Sequence, residues 1–195
     1  MRLFKRNAAD IHGENPGVPK RVSKGLRLIV CGTDNVVEID PTSSFAGCIM
    51  IGTRDCPVHG CRVTVGARTL ANDCTIVLME DESELRIGED CLISAGVRIW
   101  CSDSHSVLDG EGRLLNRGRF VRIGRHVWIG LGVLIGKNVS VADDSILGMG
   151  AVVTGDCAET SCAYGGNPAR LLKRDIRWSK ERPMAVIRRS EGGAR

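Results

Sequence analysis

Between Val121 and Asp156 the chain reads VRIGRHVWIGLGVLIGKNVSVADDSILGMGAVVTGD. Counted from Ile123 in steps of six, it yields Ile123-Gly124, Ile129-Gly130, Ile135-Gly136, Val141-Ala142, Leu147-Gly148 and Val153-Thr154. Each pair is an aliphatic residue followed by a small one. A helix repeats its apolar face at three and four residues and a half-buried strand at two, so a sustained period of six fits neither. It fits a solenoid of triangular section, in which three short strands make one coil. The aliphatic residue of each hexad then points inward and the small residue lets the chain turn the corner. Small residues at the corners also leave backbone open to a ligand.

Outward from this stretch the pattern thins in both directions. Ile87-Gly88, Ile93-Ser94 and Ile99-Trp100 keep the phase; Val65-Gly66, Ala71 and Val77 are also six apart, and the acidic run Glu80 to Glu84 breaks the phase between the two series. Leu26, Leu28, Val30, Val36, Val37 and Ile39 are spaced like short strands, and Pro41 to Ser44 reads as a turn. Residues 1–25, with Gly13, Pro16, Gly17 and Pro19, read as an irregular arm or cap. Between Ile99 and Ile123 the hexads lapse, which predicts a loop at about 101–120 thrown out of the solenoid. Beyond Asp156, Pro168 followed by Ala169 to Ser179 predicts a short helix capping the last coil. The expected organisation is an arm at 1–25, repeats at 26–157, and a C-terminal cap with a helix and basic tail at 158–195.

Composition narrows the function classes. The 195 residues are 43% hydrophobic and 26% charged, a globular balance, and the 24 glycines beside 4% aromatics suit narrow coils with tight corners. No window is apolar enough to span a bilayer, and the basic N-terminus lacks a signal-peptide core, so no integral membrane segment and a cytoplasmic location are expected. Nine scattered cysteines without a CxxC pair read as reduced thiols. Cys56, His59 and Cys61 are irregularly spaced with no second ligand pair, so no metal is expected. The net charge of +4 is concentrated in a basic C-terminal end. Without interleaved aromatics this reads as a solvated tail or a pocket for a phosphorylated cofactor rather than a nucleic-acid site.

The hexads, the segment SDSHSVLD from Ser102, the HVWIG at His126 and the closing GNPAR with Trp178 beyond it resemble the hexapeptide-repeat acyltransferases. The similarity covers roughly residues 60 to 180. It is greatest to the branch of sugar O-acetyltransferases that modify polysaccharides. The resemblance implies an all-β solenoid, a left-handed parallel β-helix, and a homotrimer with its site between neighbouring copies. It also implies acetyl-CoA as cosubstrate and a carbohydrate acceptor.

Transfer of acetyl from a thioester to a hydroxyl needs a base, because an alcohol is a poor nucleophile until its proton is accepted, and an imidazole suits that task. His105 aligns with the family's catalytic histidine, and Asp103 and Asp109 flank it as candidates to orient the ring. By resemblance, Trp128, Gly130, Leu131, Gly148 and Met149 match contact positions for the pantetheine arm. Thr154, Gly155, Arg170 and Lys173 match positions near the nucleotide end. Gly155 stands where the family often has lysine, so Arg170 and Lys173 are expected to supply the phosphate contacts. Asn72, Glu80, Asp81 and Glu82, with Trp128, are the acceptor-binding candidates. The alternatives are an acyl-enzyme route through Cys101, an N-acetyltransferase acting on a nucleotide-linked amino sugar, and a non-catalytic binding solenoid.

Overall fold

A computed structural model describes residues 8–192. The chain begins with β1 (Ala8–His12), β2 (Leu26–Cys31), β3 (Val36–Ile39), β4 (Ser44–Ile51) and β5 (Arg62–Val65). It continues with β6 (Leu70–Leu78), β7 (Glu84–Ile87), β8 (Leu92–Ile93), β9 (Arg98–Trp100) and β10 (Phe120–Ile123). The decisive stretch supplies β11 (Trp128–Ile129), β12 (Leu134–Ile135), β13 (Val139–Val141), β14 (Ile146–Leu147) and β15 (Val152–Val153). β16 (Ala163–Gly165), β17 (Arg170–Lys173) and one helix, α1 (Pro183–Gly192), close the described chain.

All of these strands but β17 pair in parallel with strands one coil away and form three stacks. The first contains the start of β4, the start of β6, β8, β11, β14 and β16. The second contains β1, β2, the remainders of β4 and β6, then β9, β12 and β15. The third is β3, β5, β7, β10 and β13. β4 and β6 bend through a corner and so serve two stacks.

The period of six now has a physical account. In each hexad a three-residue strand segment turns two side chains inward around one outward one, and a three-residue turn follows. Ile123, Ile129, Ile135, Val141, Leu147 and Val153 are at most 3% exposed, and Val121, Val127, Val133, Val139, Ser145 and Ala151, two positions earlier, are also buried. Side chains from all three stacks share one core.

The small residue after each aliphatic does not itself make the turn. Gly124, Gly130, Gly136 and Gly148 are absent from the left-handed region; the turn is made two positions later, at His126, Gly132, Asn138, Asp144 and Gly150, all with positive φ. Asp, Asn and Gly tolerate that region best among residues. The small residue instead permits close approach of coils: a Cβ on Gly130 would lie 2.7 Å from the backbone N of Met149.

Two other expectations change. Ala8–His12, expected within an irregular arm, pairs with Leu26–Cys31 and extends the second stack. Pro168 starts no helix: it sits in the turn of an antiparallel hairpin in which Arg170–Lys173 covers the edge of β16. The edge is capped by a strand, and the helix begins at Pro183, a residue whose missing N–H costs nothing at a first helical position.

Candidate active site

Three corners separate the stacks, and the loop at 101–119 leaves from the corner between the second and third. Its two ends are tightly joined. Gly118 donates its N–H to both carboxylate oxygens of Glu80, at 3.0 and 2.9 Å, and a Cβ at this position would fall 2.1 Å from the carbonyl oxygen of Cys101. Only glycine fits where the outgoing and returning strands touch. Asn138, from the next coil, donates its Nδ2 to the carbonyl of Arg117 and accepts the N–H of Arg119 at Oδ1, both at 2.9 Å.

Within the loop one side chain braces the segment around His105. Asn116 Nδ2 donates to Asp103 Oδ2 and to the His105 carbonyl, each at 2.8 Å, while its Oδ1 accepts the N–H of Val107 at 2.8 Å. Lys137, on the corner between the second and third stacks, donates to Asp103 Oδ2. His105 is thus exposed on a loop tied at residues 103, 105 and 107. The Lys137 ammonium, and then the Asn116 amide, hold the Asp103 carboxyl below the usual carboxylate range. A depressed carboxyl contributes order that is present above its unfolded pKa and lost as pH falls through the folded one, so this brace loosens in acid. Asn116→Ala should therefore abolish protection of the Val107 amide in hydrogen exchange while leaving protection in β10 and β11 intact; unchanged protection at Val107 would contradict the brace.

Asp109 lies in a separate turn. Its Oδ1 accepts the N–H groups of Glu111 and Arg113 at 2.9 Å, and its Oδ2 accepts Arg113 Nε at 2.7 Å. The Arg113 backbone and side chain keep its carboxyl low. Both flanking carboxylates are thus engaged in shaping the loop: Asp103 with Lys137 and Asn116, Asp109 with its own turn.

The remaining candidates fall on other parts of the surface. Gly130, Leu131, Gly148 and Met149 stack at the corner between the first and second stacks, where Gly150 N–H donates to the Leu131 carbonyl at 2.9 Å. Leu131 and Met149 are well exposed there, and Asn72 lies lower on the same corner. Thr154 and Gly155 are exposed on the corner that carries the loop, one coil beyond Lys137. Arg170 and Lys173 project from β17. Glu80 anchors Gly118, Asp81 Oδ1 accepts the His59 N–H at 2.8 Å, and Glu82 occupies a left-handed corner position. The acidic run therefore serves the coil and the loop root. Trp128 faces outward from the first stack and tilts against Trp178, ring centroids 6.1 Å apart.

Trp178 belongs to a C-terminal strap that recrosses the coils. Its indole N–H donates to the His126 carbonyl at 2.8 Å, its ring stacks on the His126 imidazole at 4.2 Å, and His126 Nδ1 meets Asp144 Oδ1 at 2.9 Å. Lys180 Nζ reaches the Arg68 carbonyl at 2.9 Å. His126 is thus engaged in holding this strap.

Cys101 is fully buried, and burial pushes its thiol up to about 12, which leaves almost no thiolate to act as a nucleophile. Cys61 is also buried and bonds to the Glu80 carbonyl; His59 Nδ1 pairs with Thr33. Among the described residues no group of three or more His, Cys, Asp or Glu side chains is arranged to hold a metal ion, and no helix is long and apolar enough to cross a membrane.

No family model matches the chain. Its structure superposes on that of the polySia-specific acetyltransferase NeuO with a TM-score of 0.73 and 31% identity, covering 87% of this chain and 77% of that one. The chain belongs to the hexapeptide-repeat acetyltransferases. A polysialic acid O-acetyltransferase of Escherichia coli O1:K1 / APEC is 33% identical over 150 residues, 74% of this chain. The match spans about half of that relative's length, 45%. The polysialic acid O-acetyltransferase OatWY shares the fold with a TM-score of 0.58 at 22% identity, over 80% of this chain and 92% of that one. So does a hexapeptide-repeat-containing acetyltransferase of Vibrio cholerae O1 biovar eltor in complex with acetyl coenzyme A, with a TM-score of 0.52 at 22% identity over 72% and 70% of the two chains.

Asn116 and Lys137 were not legible as parts of this site. Asn116 lies in an aperiodic segment, and the one signal at Lys137 is a charged side chain after a small hexad residue, where the next corners have Asp143, Met149 and Gly155.

Proposed function

We propose that the protein is an acetyl-CoA-dependent O-acetyltransferase acting on a sugar hydroxyl of a polysaccharide or its glycan precursor. The observation that carries this reading is His105, presented to solvent by a loop cross-braced through Asn116 and rooted at Gly118. The imidazole takes the acceptor's hydroxyl proton as its oxygen attacks the thioester carbonyl; the tetrahedral intermediate then breaks its carbon–sulfur bond, and the imidazolium returns the proton to the departing sulfur, releasing coenzyme A as thiol without an acyl-enzyme. A backbone N–H at a corner holds the oxyanion.

The exposed strip formed by Trp128, Leu131 and Met149, with Gly130 and Gly148 between them, suits the pantetheine arm. Thr154, Gly155, Arg170 and Lys173 hold the nucleotide end. The strip and His105 lie on different corners of one chain, so a complete site requires a second copy. In a homotrimer of left-handed coils, His105 of one subunit faces Trp128 of the partner subunit. Names of the relatives point to a polysaccharide acceptor, and dependence on acetyl-CoA suits a reaction in the cytoplasm.

Acetyl-CoA turnover across a panel of glycans, with mass spectrometry of the products, tests the reading. An ester-linked acetyl on a sugar is the expected result. An amide-linked acetyl would replace it with N-acetyl transfer, and no turnover together with no acetyl-CoA binding would leave a binding solenoid.

A further inference from the structure

Most exposed arginines of the described coils meet a carboxylate. Arg62 pairs with Glu38, Arg68 with Glu89 and Asp90, Arg86 and Arg122 with Glu84, Arg125 with Asp143 and Asp144. Arg117 and Arg119 do not, and among the described residues neither do the exposed Arg21 and Arg98. What sets Arg117 and Arg119 apart is that they stand two positions from each other on a pinned backbone.

The pinning decides where they point. Gly118 packs inward against the Cys101 carbonyl and is held by Glu80. In an extended segment neighbours alternate sides, so Arg117 and Arg119 both project outward, next to the Asn116 that braces His105. Asn138 fixes this short segment from the next coil, so two fork-shaped donors start from a preorganised backbone at the mouth of the loop. Guanidinium forks match carboxylates in pairs, and two of them unpaired side by side on a pinned backbone next to the His105 loop make a place for an external anion.

We infer that Arg117 and Arg119 form a subsite for carboxylates of an acidic glycan, gripping sugar units beside the one whose hydroxyl faces His105. This rests on the acetyltransferase reading and narrows its acceptor to a polyanion. Nonspecific attraction of nucleic acid is the competing account, and a test separates them.

The experiment compares polysialic acid, the same polymer with its carboxylates reduced to alcohols, and a neutral glycan as acceptors at fixed acetyl-CoA. Wild-type protein is expected to show a KM roughly tenfold lower for polysialic acid than for the reduced polymer, with the gap closing as salt rises. Arg117→Gln/Arg119→Gln should raise KM for polysialic acid by about the same roughly tenfold factor, with the loss carried in KM, and should change nothing for the reduced polymer. Arg21→Gln/Arg182→Gln, which removes the same two charges from exposed sites outside this segment, should have no effect. Equal losses on both polymers, or an unchanged KM, would overturn the subsite. Binding of fluorescently labelled polysialic acid by anisotropy gives a second readout that needs no turnover: equal affinity of the double variant and wild type overturns it as well. Preferred binding of single-stranded nucleic acid over polysialic acid would do the same. Transfer to the neutral glycan alone would overturn the acidic acceptor and leave acetyl transfer standing, whereas absence of transfer to any acceptor strikes the activity itself.

Discussion

His105→Ala should lose about a thousandfold in kcat, with acetyl-CoA affinity by calorimetry close to wild type. The size follows from the role. A positioned base accepts the proton while the carbon–oxygen bond forms, and such groups contribute on the order of two to four powers of ten. The separation of effects follows from geometry: His105 stands on the loop, whereas the exposed apolar strip with Leu131 and Met149 lies on another corner of the chain. Nothing nearby substitutes for it. The Asp103 carboxylate is committed to Lys137 and Asn116, Asp109 to Arg113, and the Cys101 thiol is buried and protonated. His105→Gln, which keeps a hydrogen-bonding side chain without its basicity, should be nearly as slow. A wild-type rate in either variant would remove His105 from the chemistry. Loss of acetyl-CoA binding equal to the loss of rate would instead move it to the cofactor site.

The core of the fold could be read from the chain because its signal is local and repeated. Six hexads named the buried residues Ile123, Ile129, Ile135, Val141, Leu147 and Val153, since a residue that faces inward once per face must be aliphatic every sixth position. The turn was misassigned to the small residue. A second period was present, His126, Gly132, Asn138, Asp144 and Gly150, and it carries the left-handed backbone, but His and Asp disguise it beside the plainer glycines. The C-terminal end failed for a different reason. Pro168 starts helices and also sits in hairpin turns, and the choice is made by the open edge of β16, which no local pattern records. At the site the histidine stood in a recognisable motif. Its support did not, because the Lys137 contact to Asp103 and the Glu80 contact to Gly118 join residues 34 and 38 positions apart. Pairings at that range exist only after the coils have stacked.

Three glycine-to-alanine changes should separate the two roles that the repeat gives to small residues. Gly88→Ala is expected to be the most damaging, by roughly 3 kcal/mol, since its Cβ would sit 2.6 Å from the backbone N of Arg125 and from the C and O of Gly124. Those atoms cannot rotate away. The coils must part, straining the bonds on either side, Gly88 N–H to Ile123 O at 2.9 Å and His126 N–H to Glu89 O at 2.8 Å. Gly132→Ala meets no atom within 4 Å, but its φ of +66° is costly for a side chain, so about 1 kcal/mol is expected. Gly155→Ala has neither problem: nothing lies within 4 Å and its φ is not positive. It should be neutral, or stabilising by about 0.5 kcal/mol through the unfolded chain. With about 2–4 °C per kcal/mol for a chain of this size, thermal unfolding should resolve the order Gly88, Gly132, Gly155. If Gly132→Ala proved as harmful as Gly88→Ala, conformation rather than approach would limit the coil, and the small residue after each aliphatic would need another explanation. If Gly88→Ala were tolerated, the coils would have to breathe by several tenths of an ångström, which the dense core of Ile87, Ile123 and Val141 resists.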